Sequence, residues 1–241
     1  MAATSSRSPV EAVLLDVGGV FLLPDPVVMA PPLERFGGVR PPVETFDRAH
    51  YAGTAAMDAA GWADWPLYLT TYVRACGVAE DVVPETVAGL RKVFNGHIWT
   101  RVIPGAADAL RELAALDVRI GIISNAAGTI AAMLADAGIC QLGDGPGVPV
   151  EVLIDSHVVG VAKPDPAIFH LALDALGVAP SAALYVGDTA IFDVVGAHAA
   201  GLDVLHIDPH DMCTAATDPH AHRRHLRDCL AHVRDASATG V

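Results

Sequence analysis

The sequence predicts an α/β fold: a doubly wound parallel sheet with a helical segment inserted after its first strand. Three observations carry this. From residue 104 onward, short apolar runs alternate with segments of helical period, the pattern of βαβ units. One further run, Ala12-Val13-Leu14-Leu15, stands apart, ahead of a proline-rich and then an aromatic-rich stretch. Polar residues gather where runs end: Asp16, Ser124-Asn125, Lys163-Pro164, and Gly187-Asp188 with Asp193. Right-handed crossovers bring strand C-termini to one edge of such a sheet, where its chemistry sits.

Taken in order, Ala12 to Leu15 is short and aliphatic and runs into Asp16-Val17-Gly18-Gly19-Val20, so it reads as a strand buried on both faces. Prolines 24, 26, 31, 32, 41 and 42 are expected to interrupt regular structure. Residues 43–99 concentrate the aromatics (Phe46, Tyr51, Trp62, Trp65, Tyr68, Tyr72, Phe94, Trp99), and 64–75 and 84–95 suit helices. Pro104-Gly105 opens the second part. Helices are expected over 106–116, up to about Asp136 with Gly138 past its end, over 166–176 and over 191–200. Strands are expected over 118–123, 152–154, 183–186 and 204–207, with a Gly/Pro loop at 141–149. The expected organisation is a core of 10–23 and 103–235, a helical insert of 24–102, and loose tails at 1–9 and 236–241.

Composition narrows the function. With 52% hydrophobic and 18% charged residues, a 241-residue chain has ample material for a core. A formal net charge of −13 argues against nucleic-acid binding by a general basic surface, while leaving room for a small phosphorylated ligand at a local positive site. No uninterrupted apolar run is long enough to span a bilayer, so no membrane partner is expected. The cysteines Cys76, Cys140, Cys213 and Cys229 form no C-x-x-C pair and read as free thiols in a reducing, cytoplasmic setting. A homodimer is compatible with all of this.

Each polar motif has a plain structural reading beside its chemical one. Asp16 alone caps a turn, and Asp188 alone caps a helix. Asp188 with Asp193 one turn on can also hold a hard cation, since Mg²⁺ takes oxygen ligands from one or two carboxylates. Lys163, fixed by Pro164 and Pro166, is either a solvated loop lysine or a charge stabiliser at the sheet edge. Ser124-Asn125 is either an N-cap or, with helix N-terminal amides, an anion cradle.

Together the motifs resemble those of the haloacid dehalogenase-like hydrolase superfamily. They match in order: Leu14-Leu15-Asp16-Val17-Gly18-Gly19-Val20, Ile122-Ile123-Ser124-Asn125, Ala162-Lys163-Pro164-Asp165-Pro166, and Gly187-Asp188 with Asp193, within about residues 10–208. The resemblance implies a Rossmann-like core, a mobile helical cap, Mg²⁺ dependence and a phosphatase acting on a small phosphorylated metabolite. Carried onto this chain, Asp16 is the nucleophile and forms an aspartyl-phosphate. Asp16, the backbone carbonyl of Gly18 and Asp188 hold the metal, with Asp193 in support. Ser124, Asn125 and Lys163 hold phosphate oxygens, and Lys163 restrains Asp16.

The chain departs from that pattern at Gly18. Phosphatases of the superfamily usually carry there a second Asp that protonates the leaving group, a contribution of about 10²–10⁴-fold in rate. Gly18 leaves alternatives open: a 2-haloacid dehalogenase-type hydrolase, in which only Arg35, Arg40 or Arg48 can supply the expected arginine, or a catalytically weak phosphate-binding or regulatory protein. The C-terminal His206, His210, His220, His222, His225 and His232, with Asp211 and Cys213 nearby, admit a zinc site, but their spacings match no compact one, and the His and Arg residues near 219–233 fit a solvated helix.

Overall fold

The computed structural model describes residues 10–215 and 219–238; the expected tail at 1–9 lies outside them. Strand β1 (Ala12–Leu15) leads through the two-residue β2 (Leu22–Leu23) into four helices, α1 (Pro26–Gly37), α2 (Val43–Ala60), α3 (Trp65–Ala75) and α4 (Val83–Leu90). The chain returns through β3 (Arg101–Val102), which pairs antiparallel with β2, to α5 (Ala106–Ala114), β4 (Arg119–Ser124) and α6 (Ile130–Asp136). After β5 (Cys140–Leu142) and β6 (Val148–Val150) come β7 (Val152–Asp155), α7 (Ser156–Val159), α8 (Pro166–Leu176) and β8 (Ala183–Gly187). A π-helical turn, Ala190–Val194, feeds α9 (Val195–Ala199), followed by β9 (Asp203–Ile207), β10 (Ala221–Arg223) and α10 (Cys229–Ala238).

Six strands form one sheet in the order β10-β9-β8-β1-β4-β7, and every pairing in it is parallel. β1 is central, as its fully buried side chains require. Its alternate residues serve opposite faces. Val13 and Leu15 join Ile122, Val186, Leu110 and Leu230 on one side. Ala12 and Leu14 join Tyr185, Phe169, Leu173 and Ala197 on the other. A third apolar cluster lies within α1–α4, built on Met29, Leu33, Phe46, Tyr68, Tyr72 and Leu90. Most insert aromatics therefore fill an interior rather than face a ligand.

Four local expectations are corrected. The prolines do not break 26–37: Pro26 starts α1 behind the Asp25 cap, and Pro31 and Pro32 are carried inside a helix whose Met29, Pro32 and Leu33 are buried. The loop expected at 141–149 instead contains the β5–β6 ribbon. The tail expected from 236 is helical to Ala238. The helix expected over 219–233 begins only at Cys229; residues 221–223 pair instead with β9 as a sixth strand. Among the described residues, no helix is long and apolar enough to cross a membrane.

Candidate active site

β1 lies between β8 and β4, so the C-terminal ends of these three strands meet where the strand order reverses. There the structure brings together Asp16, Ser124, Lys163, Asp188 and Asp193, all buried. Lys163 Nζ lies 2.7 Å from Asp16 Oδ1 and 2.7 Å from Asp193 Oδ1. It also donates to Tyr185 Oη at 2.9 Å, and Tyr185 in turn donates to Asp193 Oδ1 at 2.8 Å.

Asp193 is fully committed. Its second oxygen accepts from the Asp188 and Thr189 amides at 3.1 and 3.0 Å and from Thr189 Oγ1 at 2.7 Å. This carboxylate anchors the loop that carries Asp188 rather than offering itself outward. The need to turn Asp193 inward also accounts for the π-helical turn where a plain helix was expected, with the Val194 amide reaching back to Thr189 O.

Burial sets the electrostatics. It pushes the Asp16 carboxyl up to about 7, against the pull of Lys163 and with help from the charges of Asp193 and Asp188. Asp188 is driven well above its ordinary range by burial and then by Asp193. Asp193 ends below its ordinary range, because Lys163 and the Thr189 donors outweigh burial. Ligand oxygens of Asp16, Asp188 and Asp193 lie within 4.8 Å of one another, an all-oxygen set suited to a hard cation.

Two expected contacts take another form. The Asn125 carboxamide grips the Lys163 backbone, donating to its carbonyl at 2.9 Å and accepting from its amide at 2.8 Å. It positions Lys163, and Asn125 also lines the cavity beside Asp16 and Ser124. The helix N-terminus expected after Ser124 begins only at Ile130. The amides of Gly128 and Ile130 are taken by Asp155 Oδ2, at 2.9 and 3.4 Å, which closes that end to a ligand.

The inserted helices add groups less visible in the sequence. His50 on α2 has Nε2 2.9 Å from Asp188 Oδ2 and Nδ1 3.0 Å from Tyr68 Oη. Burial lowers its pKa to about 3, so the ring is neutral; beside an ionised Asp188, Nε2–H donates to that carboxylate and Tyr68 donates to Nδ1. Asp58, also on α2, accepts from the Ala190 and Ile191 amides at 2.9 Å each. Tyr51 donates to the Gly19 carbonyl at 2.8 Å. Gly19 itself has φ +63°, and a Cβ there would lie 2.1 Å from Asp188 Oδ2, so only glycine fits the turn after Asp16.

A cavity of about 490 Å³ opens from Asp16 to the inserted helices, its far wall made by Met57, Trp65, Trp99, Ile130, Met133 and Phe192. Lys163 is the one cationic side chain among its lining residues. Neither Trp62 nor Tyr51 lines it, and none of Arg35, Arg40 and Arg48 does. Arg40 instead pairs with Glu34 at the surface.

Such a fold and site define an α/β enzyme with a lysine-braced carboxylate at the switch point of its doubly wound sheet. The chain belongs to the haloacid dehalogenase-like hydrolases, whose family model matches residues 10–201. It is 30% identical over 176 residues to human haloacid dehalogenase-like hydrolase domain-containing protein 3, covering 73% of this chain and 66% of that relative. A phosphoglycolate phosphatase of Rhodospirillum rubrum is 36% identical over 105 residues, 43% of this chain and 40% of its own. Among solved structures, the HAD-hydrolase YfnB of Bacillus subtilis, bound to magnesium, superposes with a TM-score of 0.57 at 17% identity, over 94% of this chain and 100% of that one. A 2-haloacid dehalogenase of Pseudomonas syringae gives 0.53 at 22%, over 94% and 98%. These structural likenesses establish the fold.

Proposed function

We propose that this hydrolase is a Mg²⁺-dependent phosphatase that cleaves phosphate monoesters with apolar, good leaving groups through an aspartyl-phosphate on Asp16. The observation that carries the reading is the bridge of Lys163 Nζ to both Asp16 and Asp193, with Asp188 alongside, at the mouth of the cavity. Asp16, Asp188 and the Gly18 carbonyl would hold the ion, and the oxygen-only donor set fits it. Mg²⁺ supplies charge neutralisation between an attacking carboxylate and a phosphate. Lys163 orients Asp16 and, with the Ser124 hydroxyl, receives phosphate oxygens.

In the first step an Asp16 oxygen forms a bond to phosphorus, and the bond from phosphorus to the ester oxygen breaks, its electron pair leaving with that oxygen. Water then attacks phosphorus and returns Asp16 as carboxylate with release of phosphate. Gly18 gives the departing oxygen no carboxylic proton, so leaving groups that depart as stable anions are favoured. The apolar far wall, with no second cation, suits an aryl group better than an anionic metabolite tail. The inserted helices act as the cap, and Trp65 and Trp99 sort substrates.

The test is hydrolysis of aryl phosphates with and without Mg²⁺, using Asp16→Asn as control. Turnover that needs both the ion and Asp16 supports the reading. The 2-haloacid dehalogenase reading is favoured only by the absence of an acid at Gly18. Chloride release from a haloacid, indifferent to chelator, would put it first. Tight Mg²⁺-linked phosphate binding with no turnover would put the binding or regulatory reading first.

A further inference from the structure

On the far side of the Asp188 loop, His206, Cys213, His220 and His222 converge, each offering a ligand atom, all within 4.8 Å of one another. The fold brings them together in steps. β10 pairs with β9 in a register that sets His222 directly beside His206. His220, two residues before His222, lies on the same side as His222, and the three imidazole centroids stand 4.7 to 5.2 Å apart. Cys213 is delivered by the turn after β9, which Asp208 shapes by accepting from the Met212 and Cys213 amides at 2.9 Å each. We propose that these four side chains form a zinc site, separate from the carboxylate centre and structural in kind.

The separations support this. Zn–N bonds of about 2.0–2.1 Å and Zn–S bonds of about 2.3 Å place tetrahedral ligand pairs about 3.3 Å (N···N) and about 3.6 Å (N···S) apart. Here His206 Nδ1 and His220 Nε2 are 3.1 Å apart, and Cys213 Sγ is 3.7 Å from the same His220 Nε2. Three imidazoles and one thiolate make a closed borderline-soft set that prefers Zn²⁺ to the hard cation suited to Asp16 and Asp188.

The outer contacts match as well. His206 Nε2–H donates to the Asp188 backbone carbonyl at 2.9 Å, which fixes the tautomer with Nδ1 free to ligate. The Asp208 carboxylate stands 4.0 Å from His222 Nδ1. Through the His206 contact, an ion here would brace the strand end that carries Asp188. The sequence conceals the site because its ligands are spread from β9 to β10 and only the strand pairing joins them.

The experiment uses untagged full-length protein. Zinc content and affinity are measured by competition with a chromophoric chelator, and Co²⁺ is loaded as a spectroscopic stand-in. We expect one zinc per chain and a thiolate-to-cobalt charge-transfer band that Cys213→Ser abolishes and Asp16→Asn leaves intact. Cys213→Ser should weaken zinc binding by roughly 100-fold or more, since even outer-shell partners are worth about 10–100-fold. His222→Gln, at the most exposed of the four positions, should weaken it while retaining the band. Co²⁺ loading without a thiolate band, or equal zinc affinity in the wild type and both ligand variants, overturns the proposal and leaves a hydrogen-bonded histidine cluster.

Discussion

His50 Nε2 lies 2.9 Å from Asp188 Oδ2, so a helix of the insert holds one oxygen of a carboxylate on the core sheet. With Tyr68 behind it, the neutral ring is a fixed donor that orients Asp188, which offers an oxygen within 4.8 Å of one from Asp16. His50→Ala should weaken Mg²⁺ binding by about 10–100-fold, the usual loss when an outer-shell partner is removed. Titration calorimetry of both proteins checks this. Unchanged affinity would make His50 a packing residue.

The same ring sets a pH signature. Burial drives His50 down to about 3 and His206 to about 4, both below the ordinary histidine value of 6.5. The unfolded chain therefore takes up protons that the fold refuses. Stability supplied by each neutral ring is complete above about 6.5 and is lost as pH falls toward the folded value. At pH 5 each ring should cost about 2 kcal/mol. His50→Gln should flatten the acid limb of a stability profile, read as the difference from wild type in metal-free buffer. Parallel profiles would exclude His50 as a source of that limb.

Asp16 gives the opposite sign. Its folded value of about 7 lies above the ordinary 3.8, so in the metal-free protein it holds a proton up to near neutrality. An ion can bind only the carboxylate, so binding must expel protons. Mg²⁺ affinity should rise about tenfold per pH unit from pH 5 to 7 for each proton released, then level off. Calorimetry in two buffers of different ionisation heat counts the protons, and no release at pH 6 would sink the assignment.

How much of this was legible depended on where a residue lies. Asp16, Ser124, Lys163 and Asp188 end or follow apolar runs, and a parallel sheet must bring those ends together. His50 and Asp58 sit in α2, where an amphipathic pattern explains any residue and nothing local says which strand end lies opposite. Tyr185 lies inside an apolar strand run, where nothing local shows that its hydroxyl completes the Lys163–Asp193 network. The β9–β10 pairing was hidden because three residues rich in charge and histidine carry no strand signature.

Asp58 makes a second prediction about the insert. Its carboxylate accepts two buried backbone donors, from Ala190 and Ile191, and so fastens α2 to the turn beyond Asp188. Asp58→Ala leaves both amides unpaired, at about 1–3 kcal/mol each. The variant should melt earlier. If the insert closes over bound substrate, KM should also rise more than kcat falls. A melting temperature equal to wild type would mean that water replaces the carboxylate without loss.

Gly18 bears most directly on the proposed chemistry. A Cβ at this position would lie 3.3 Å from the Trp99 ring, so the space for a longer side chain is filled by an aromatic from the far end of the insert. Restoring a carboxylate by Gly18→Asp alone should therefore give little, because the ring must move first. Gly18→Asp with Trp99→Leu should recover a proton donor. In the wild type, rates across a series of phosphate esters should fall steeply as leaving-group pKa rises, with alkyl esters behind activated aryl esters by about the 10²–10⁴ that general acid catalysis contributes. The double variant should flatten that slope by accelerating the poor leaving groups, leaving the good ones nearly unchanged. A wild-type slope that is already flat would mean a proton reaches the leaving oxygen from elsewhere. Neutral His50, tied to Asp188 and Tyr68, is poorly placed to provide it, so Ser124→Ala and a Thr54→Val change at a second hydroxyl lining the cavity would be the next variants measured along the same series.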